Sequence, residues 1–388
     1  MKQLFIIAFL CCPAIVSAQE SLLEQIERNN TVLATLRKQA EADKIANKTG
    51  IYPENPEVEY HYLWGSPDAQ GNRIDFSAVQ RFDFPTSYYY KKRVSDAQNR
   101  QVDLKYLSER KDVLLEAQKL SIRLIYQNAL SKESAVRLGQ AQQMAEAYRL
   151  RMDKGDASVL DLNKAKINLL NVKKEHETSL AERNFLLAEL TRLNGGIPID
   201  FTLSEFPETT LPNSFESWYE YQKEKNLDLQ YLAKKTGLIR ETGKLQRALN
   251  LPKISAGYMS EKVLTERFQG ITVGLSIPLW ENKNTVRKIK AQTLAHQEAE
   301  TDAATRFRNE SEALYKKALH LKGILNDYRN NALSDNTLSL LNKALNAGEI
   351  ALIDYLMESS IYYEVINNRL ETERDMHLTV AELMQWNL

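Results

Sequence analysis

The chain has 388 residues, and its 51 Lys plus Arg balance 51 Asp plus Glu, for a formal net charge of zero. That balance removes the electrostatic case for a nucleic-acid partner. Gly (14) and Pro (10) are few for this length, and 26% of residues are charged, which argues against many short elements and for long helices with few turns.

Residues 1–18 read as a secretory signal peptide: Lys2, the apolar run Leu4 to Val16, then Val16-Ser17-Ala18 as the cleavage site, so the mature chain is expected from Gln19. Cys11 and Cys12 both lie in this leader, and Phe9 and Leu10 are not the small residues that lipidation at Cys12 needs. The mature chain then has no thiol, hence no disulfide and no thiolate metal site. No other stretch reaches 18 apolar residues, so no membrane-spanning helix is expected.

Residues 19–56 form an N-terminal helical region, with Leu22, Leu23, Ile26, Val32, Leu33 and Leu36 on one stripe over 20–48 and Pro53 and Pro56 after it. Over 57–84 two alternating runs flank the turn SPDAQGN. Val58, Tyr60, Tyr62 and Trp64, then Ile74, Phe76, Ala78, Phe82 and Phe84, point one way, with charged and polar residues opposite. This is a β-hairpin. Residues 85–196 hold a helix from Thr86 to Asp153, about 100 Å long at 1.5 Å per residue, an interruption at Gly155, and a returning helix from about Ser158 to Leu193, closed by Asn194-Gly195-Gly196. A Pro-rich stretch and a helix over 215–249 fill 197–250. Residues 251–280 alternate again, Ile254, Ala256 and Tyr258 before a turn at VLTERFQ, and Ile271, Val273, Leu275, Ile277 and Leu279 after it. A long helix over 282–346, an interruption at Gly348 and a last helix complete 281–388.

The second half repeats the first in register. Gly155 and Gly348 are 193 positions apart, as are Asp161 and Asp354, and Pro85 and Pro278. Ala188-Glu189-Leu190 matches Ala381-Glu382-Leu383 at the same offset. The unit of β-hairpin, long helix, Gly turn and returning helix is duplicated.

Each hairpin has one apolar, aromatic face, and nothing in the chain reads as a domain to cover it. The strands have the length that a tilted strand needs to cross a bilayer, and Tyr60, Tyr62, Trp64, Phe82, Phe84 and Trp280 sit near strand ends like an interfacial girdle. Four strands cannot close a barrel, and lipid does not tolerate open edges, so three copies giving twelve strands are expected. The charged helices suit a water-filled helical tube. A solid coiled coil would need sustained heptads, which are absent.

The ordered set NPEVEYHY, FDFP, AYRLRMDKGDASVLDLNKAKINLL, LPKISAGYM, ITVGLSIPLWENK and LLNKALNAGEIALIDYL resembles the TolC family of outer-membrane efflux proteins over essentially the whole mature chain. The resemblance implies a mainly α fold with a membrane β-barrel portion, a trimeric 12-stranded barrel continuing into a periplasmic α-helical barrel. It implies an outer-membrane location in a Gram-negative bacterium, with most of the chain in the periplasm. It also implies passive exit of drugs, metal ions or other small molecules, delivered by an inner-membrane pump, of the resistance-nodulation-division type, and a periplasmic adaptor. Val58, Tyr60, Tyr62, Trp64, Ile74, Phe76, Phe82, Phe84, Ile254, Tyr258, Ile271, Val273, Leu275 and Ile277 would then face lipid.

The same resemblance makes 154–158 and 347–351 the periplasmic tip that meets the adaptor, with Gly155, Asp156, Ala157 and Ser158, and Gly348, Glu349, Ile350 and Ala351, as docking residues. Asp156 and Glu349 stand where the family commonly has an apolar or hydroxyl residue, and Ile350 stands where some relatives carry a latching Arg. Two compatible readings hold for Asp161 and Asp354. Ser158-x-x-Asp161 is a capping box with an acid in the first helical turn. In a trimer the pair supplies six carboxylates near the tunnel mouth, a cation-favouring ring that could pair with Arg149, Arg151 or Lys154. The five His residues show no ligand spacing, and no nucleophile motif or phosphate loop occurs. Neither an enzyme nor a cofactor or metal site is therefore expected. Outside this reading stand a periplasmic coiled-coil adaptor or scaffold without a pore, which should show one helical hairpin in a β-rich domain, and an envelope protein bound to glycan, which should show a dedicated pocket.

Overall fold

The structure, a computed structural model, describes residues 12–66, 71–280, 283–330 and 337–388. The first 11 residues of the expected leader, positions 67–70 of the first expected turn and the stretch 331–336 of the expected 282–346 helix lie outside them. In chain order the elements are α1 (Cys12–Asn29), α2 (Thr31–Ala46), β1 (Glu57–Leu63), β2 (Arg73–Phe82), α3 (Pro85–Asp153), α4 (Val159–Leu193), α5 (Phe215–Lys225), α6 (Leu227–Leu249), β3 (Lys253–Val263), β4 (Glu266–Ser276), α7 (Thr285–Asn330), α8 (Thr337–Ala347) and α9 (Leu352–Leu383). The four strands form one antiparallel sheet in the order β1-β2-β3-β4. This is the mainly α, duplicated strand-and-helix architecture expected from the sequence.

The helix α3 runs 69 residues through Gly139 without a break. Pro85 opens it, where a fixed φ and a missing N–H cost nothing. Two helices that the apolar periodicity draws as single are split. Asn30 separates α1 from α2, and its Oδ1 accepts the N–H of Leu33 at 2.8 Å. Asn226 separates α5 from α6 and accepts from the N–H groups of Asp228 and Leu229 at 2.9 and 3.0 Å. An Asn side chain that satisfies the donors of a new helix start competes well with continuing the old helix.

The chain divides into two compact units. The first comprises residues 1–35, 109–222 and 307–388. Its described part is helical, with Leu22 and Ile26 packed on Leu120, Leu124, Ile125, Leu186 and Leu190, and with Trp218, Tyr219, Ala318, Val380 and Leu383 in another cluster. The irregular segment between α4 and α5 is tied down by side chains. Asn128 Nδ2 donates to the carbonyls of Phe201 and Leu203 at 3.3 and 2.8 Å, and the Tyr315 hydroxyl donates to the Pro212 carbonyl at 2.8 Å. On the same segment Phe206 stacks on the buried His377 ring at 4.5 Å and 15°, while His377 Nδ1 lies 3.2 Å from the Thr209 hydroxyl.

The second unit comprises residues 36–108 and 223–306. It holds the sheet and helical segments, several of them linked by polar contacts. Arg93 meets Glu241 at 2.9 Å, Ser108 donates to Asp228 at 2.8 Å, and Gln101 donates to the Tyr231 carbonyl at 2.9 Å.

The second hairpin differs from expectation. Its ladder runs out to the pair Val263–Glu266, so the turn is only Leu264-Thr265 rather than the seven residues VLTERFQ. Leu264 takes φ 53, the left-handed conformation that two-residue hairpin turns require. The sequence hides this because Lys262 and Arg267 occupy positions where the alternation calls for apolar residues. At its other end β4 stops at Ser276, short of the expected 279. Inside the sheet a Cβ on Gly257 would lie 2.4 Å from the Ala78 carbonyl oxygen and 3.0 Å from Val79 Cα.

Two predictions follow from this packing. Gly257→Val should lower stability by about 1–3 kcal/mol through overpacking against backbone, whereas Gly270→Ala, on open ground, should be near neutral; thermal unfolding of both variants separates them. Burial pulls the His377 pKa down to about 4, so its neutral form is the folded one. Stability should be full above the unfolded value near 6.5 and fall as pH drops toward 4, by about 3 kcal/mol at most. His377→Gln should flatten urea midpoints measured across that window.

Candidate functional site

The two helix reversals share one geometry. At the end of α3 the Asp156 N–H donates to the Arg151 carbonyl at 2.8 Å and the Gly155 N–H to the Met152 carbonyl at 3.0 Å. At the end of α8 the Glu349 N–H donates to Ala344 at 2.9 Å and the Gly348 N–H to Leu345 at 3.2 Å. Both are Schellman closures, which place the residue after the cap in the left-handed region. Gly155 has φ 82 and Gly348 φ 78. Three residues beyond each Gly comes the N-cap of the next helix, Ser158 or Ala351, and three residues later its first-turn acid. The Gly-to-Asp spacing of six is thus one chain reversal, from the last carbonyls of one helix to the first N–H groups of the next. The same closure ends α4, where Gly195 has φ 67 and its Cβ position lies 2.4 Å from the Asn29 carbonyl oxygen.

The reversals pack on each other. Ala145, Tyr148, Leu162 and Ala165 from the first and Leu345, Leu352 and Tyr355 from the second form one buried cluster, with Ala157 and Ile350 at its edge. The polar residues Asp156, Ser158 and Glu349 stay exposed, as do Gly155, Gly348 and Ala351.

The two acids are held differently. Asp161 donates its N–H to Ser158 Oγ at 3.1 Å and accepts from that hydroxyl at 2.7 Å. The Ser158 hydroxyl is the main reason that its carboxyl sits below the usual carboxylate range, with Lys164 at 3.5 Å assisting. Asp354 accepts the Ala351 N–H at 3.3 Å, and Ala351 has no hydroxyl to return. Of the three cations expected to pair with these acids, Arg149 and Arg151 have other partners within the chain. Arg149 forks onto both oxygens of Glu146 at 2.7 and 2.9 Å and reaches Asp153 at 3.0 Å. The Glu146 contact keeps its pKa raised. Arg151 covers the Tyr148 ring at 5.4 Å, and Lys154 is exposed, with no ion pair among the described residues. Sequence reasoning passed over Lys164 and Glu146, although i,i+3 spacing on a helix announces both.

Beside the reversals, α3, α4 and α9 enclose a cavity of about 390 Å³. Arg137, only 4% exposed, lies 4.3 Å over the Tyr363 ring and donates to Asn367 at 3.0 Å. Tyr363 in turn donates to Gln140 at 2.6 Å. These contacts bind the first helical hairpin to the second, and nothing in the sequence pattern marks Arg137 as buried.

In the second unit the ladder registers settle which side chains share a face, because directly opposed residues lie on one side. Val58, Tyr60 and Tyr62 face Ala78, Phe76 and Ile74. Phe82 and Ala78 face Ile254 and Tyr258, and these face Leu275 and Ile271, with Ala256 opposite Val273 between them. One apolar face therefore crosses all four strands, and on β4 it is bare: Ile271 is 86% and Val273 75% exposed. Trp64, Phe84 and Ile277 lie just outside the strands, Trp64 edge-on to Tyr62 at 5.7 Å. The opposite face carries Glu57, Glu59, His61, Asp75, Arg81 and Ser255.

Among the described residues no His, Cys, Asp or Glu group is gathered to hold a metal, and no helix is long and apolar enough to cross a membrane. No family model and no curated protein sequence matches the chain. Solved structures do. The outer-membrane channel OprN superposes with a TM-score of 0.79 at 12% identity, over 95% of this chain and 89% of that one. The CmeC outer membrane channel of Campylobacter jejuni gives 0.70 at 12%, over 95% and 85%. The MtrE outer membrane channel of Neisseria gonorrhoeae, in its open state, gives 0.70 at 12%, over 95% and 88%. The chain thus has the fold of outer-membrane channel proteins. It is the TolC-type fold that the sequence motifs resemble.

The cap geometry carries its own prediction. Ser158→Ala should cost about 1 kcal/mol of stability, and Ala351→Ser should recover a similar amount at the second reversal by supplying the missing hydroxyl. Chemical denaturation of the two variants measures both.

Proposed function

We propose that the protein is an outer-membrane exit duct that gives passive passage to small molecules delivered from an inner-membrane pump through a periplasmic adaptor. The observation that carries this reading is the bare apolar face spanning β1 to β4, in a sheet whose two outer edges, one on β1 and one on β4, have no strand partner among the described residues. Hydrocarbon accepts such a face but not the unpaired backbone at its edges. Three copies joined edge to edge give a closed barrel of twelve strands, an even number in the range of outer-membrane barrels. The polar face then lines water, and the helices continue the wall into the periplasm.

In this reading the residues around Gly155 and Gly348 meet the adaptor, and drugs or metal ions are the substrates considered, with a pump of the resistance-nodulation-division type. Similarity in fold to the channels named above supports the duct; partners and cargo rest on the resemblance of the motifs. Asp161 and Asp354 serve both as first-turn helix acids and as six carboxylates around the narrow end.

Electron microscopy of detergent-extracted protein should show a trimer with a membrane-sized barrel and a hollow projection. A protein soluble without detergent that forms a solid rod would sink the duct. In planar bilayers, changing Asp161 and Asp354 together to Asn should reduce the preference for cations over anions severalfold. An unchanged reversal potential would leave them as helix-capping groups only.

A further inference from the structure

The outer end of the second hairpin holds two like charges that the duct does not use. Lys262 and Arg267 are directly opposed across the β3–β4 ladder, a placement in which like charges repel. Both are exposed, and among the described residues neither makes an ion pair. The neighbouring acids are turned away. Glu261 points to the other face, where it meets Arg73 at 3.3 Å, and Glu266, opposite Val263, shares that other face.

The pair lies on the apolar face, at its border. Going outward along this face come Tyr258 opposite Ile271, then Ser260 opposite Gln269, then Lys262 opposite Arg267, then the turn. The Tyr258 hydroxyl is 3.0 Å from Gln269 Oε1. Apolar, neutral polar and cationic levels thus follow one another within four residues, about 13 Å along a strand. That is the polarity sequence of half a bilayer, from acyl chain to headgroup.

Resting on the outer-membrane reading, we infer that Lys262 and Arg267 form a binding site for the phosphate of an anionic lipid headgroup in the leaflet at the hairpin's turn. A phosphate between the two side chains accepts the two-pronged guanidinium on one side and the ammonium on the other. It removes the repulsion that the ladder imposes, and both apolar stems can lie along the sheet toward the acyl chains. In a trimer three such sites would ring the barrel.

The test uses the full mature chain in lipid nanodiscs of phosphatidylcholine with or without phosphatidic acid, with bound lipid counted by native mass spectrometry. Each cation near an anionic surface is worth about a fivefold change in partition. Lys262→Gln with Arg267→Gln should therefore lower phosphatidic acid retention by about 30-fold, while Lys253→Gln, on the opposite face, leaves it unchanged. Equal retention by the double variant and the parent would overturn the site. Displacement by millimolar inorganic phosphate would assign it to a free ion instead, and loss of the trimer in the double variant in phosphatidylcholine alone would assign it to a carboxylate of a neighbouring copy. Failure of the chain to enter nanodiscs at all would overturn the outer-membrane reading itself, and the site with it.

Discussion

The backbone edges of β1 and β4 are the constraint on which the rest of the molecule turns. Each strand edge is a row of N–H and C=O groups that water can satisfy and hydrocarbon cannot. Here the edges flank a sheet that is apolar on one side from Val58 to Leu275 and carries most of its charged residues on the other. A sheet of this kind is stable alone in neither solvent: water opposes its face, and lipid opposes its edges. In the duct proposed above, joining edges between copies would remove the conflict and account for the bare face. Close strand approach at Gly257, where a side chain would meet the Ala78 carbonyl, leaves that position to glycine.

The helical unit depends on a different economy, the reversal of direction in as few residues as possible. A Schellman closure followed by an N-cap satisfies carbonyls on one helix and N–H groups on the next with only two residues between the Gly and the cap. Little backbone is left unsatisfied at either reversal, so both can be exposed to water on their polar side while Leu162, Leu345, Leu352 and Tyr355 pack beneath.

Much of this was legible because it rests on local chemistry. The Gly and Asp spacing, the Pro residues and the period-two runs each follow from what one residue does to its own backbone, and the duplication amplified them by stating them twice. The breaks at Asn30 and Asn226 were missed because apolar periodicity continues across them and only the side-chain bonds reveal the caps. The turn at Leu264-Thr265 was missed because its strands carry Lys262 and Arg267 on the apolar side. Within one chain Arg149 finds Glu146 and Asp153 on its own helix face, a pairing that i,i+3 and i,i+4 spacing announces. The burial of Arg137 against Tyr363 is a tertiary fact, and no spacing encodes it.

At their N-caps the two reversals differ by one hydroxyl, present at Ser158 and absent at Ala351. In a chain that carries the motif twice, a change at one position alters only half of the equivalent places in any closed assembly. The halves are therefore free to drift apart, one keeping a firm hinge while the other loosens. A threefold assembly of such chains would have six similar corners in two alternating grades of stiffness, and the softer three would be the first to yield when the structure is pulled open.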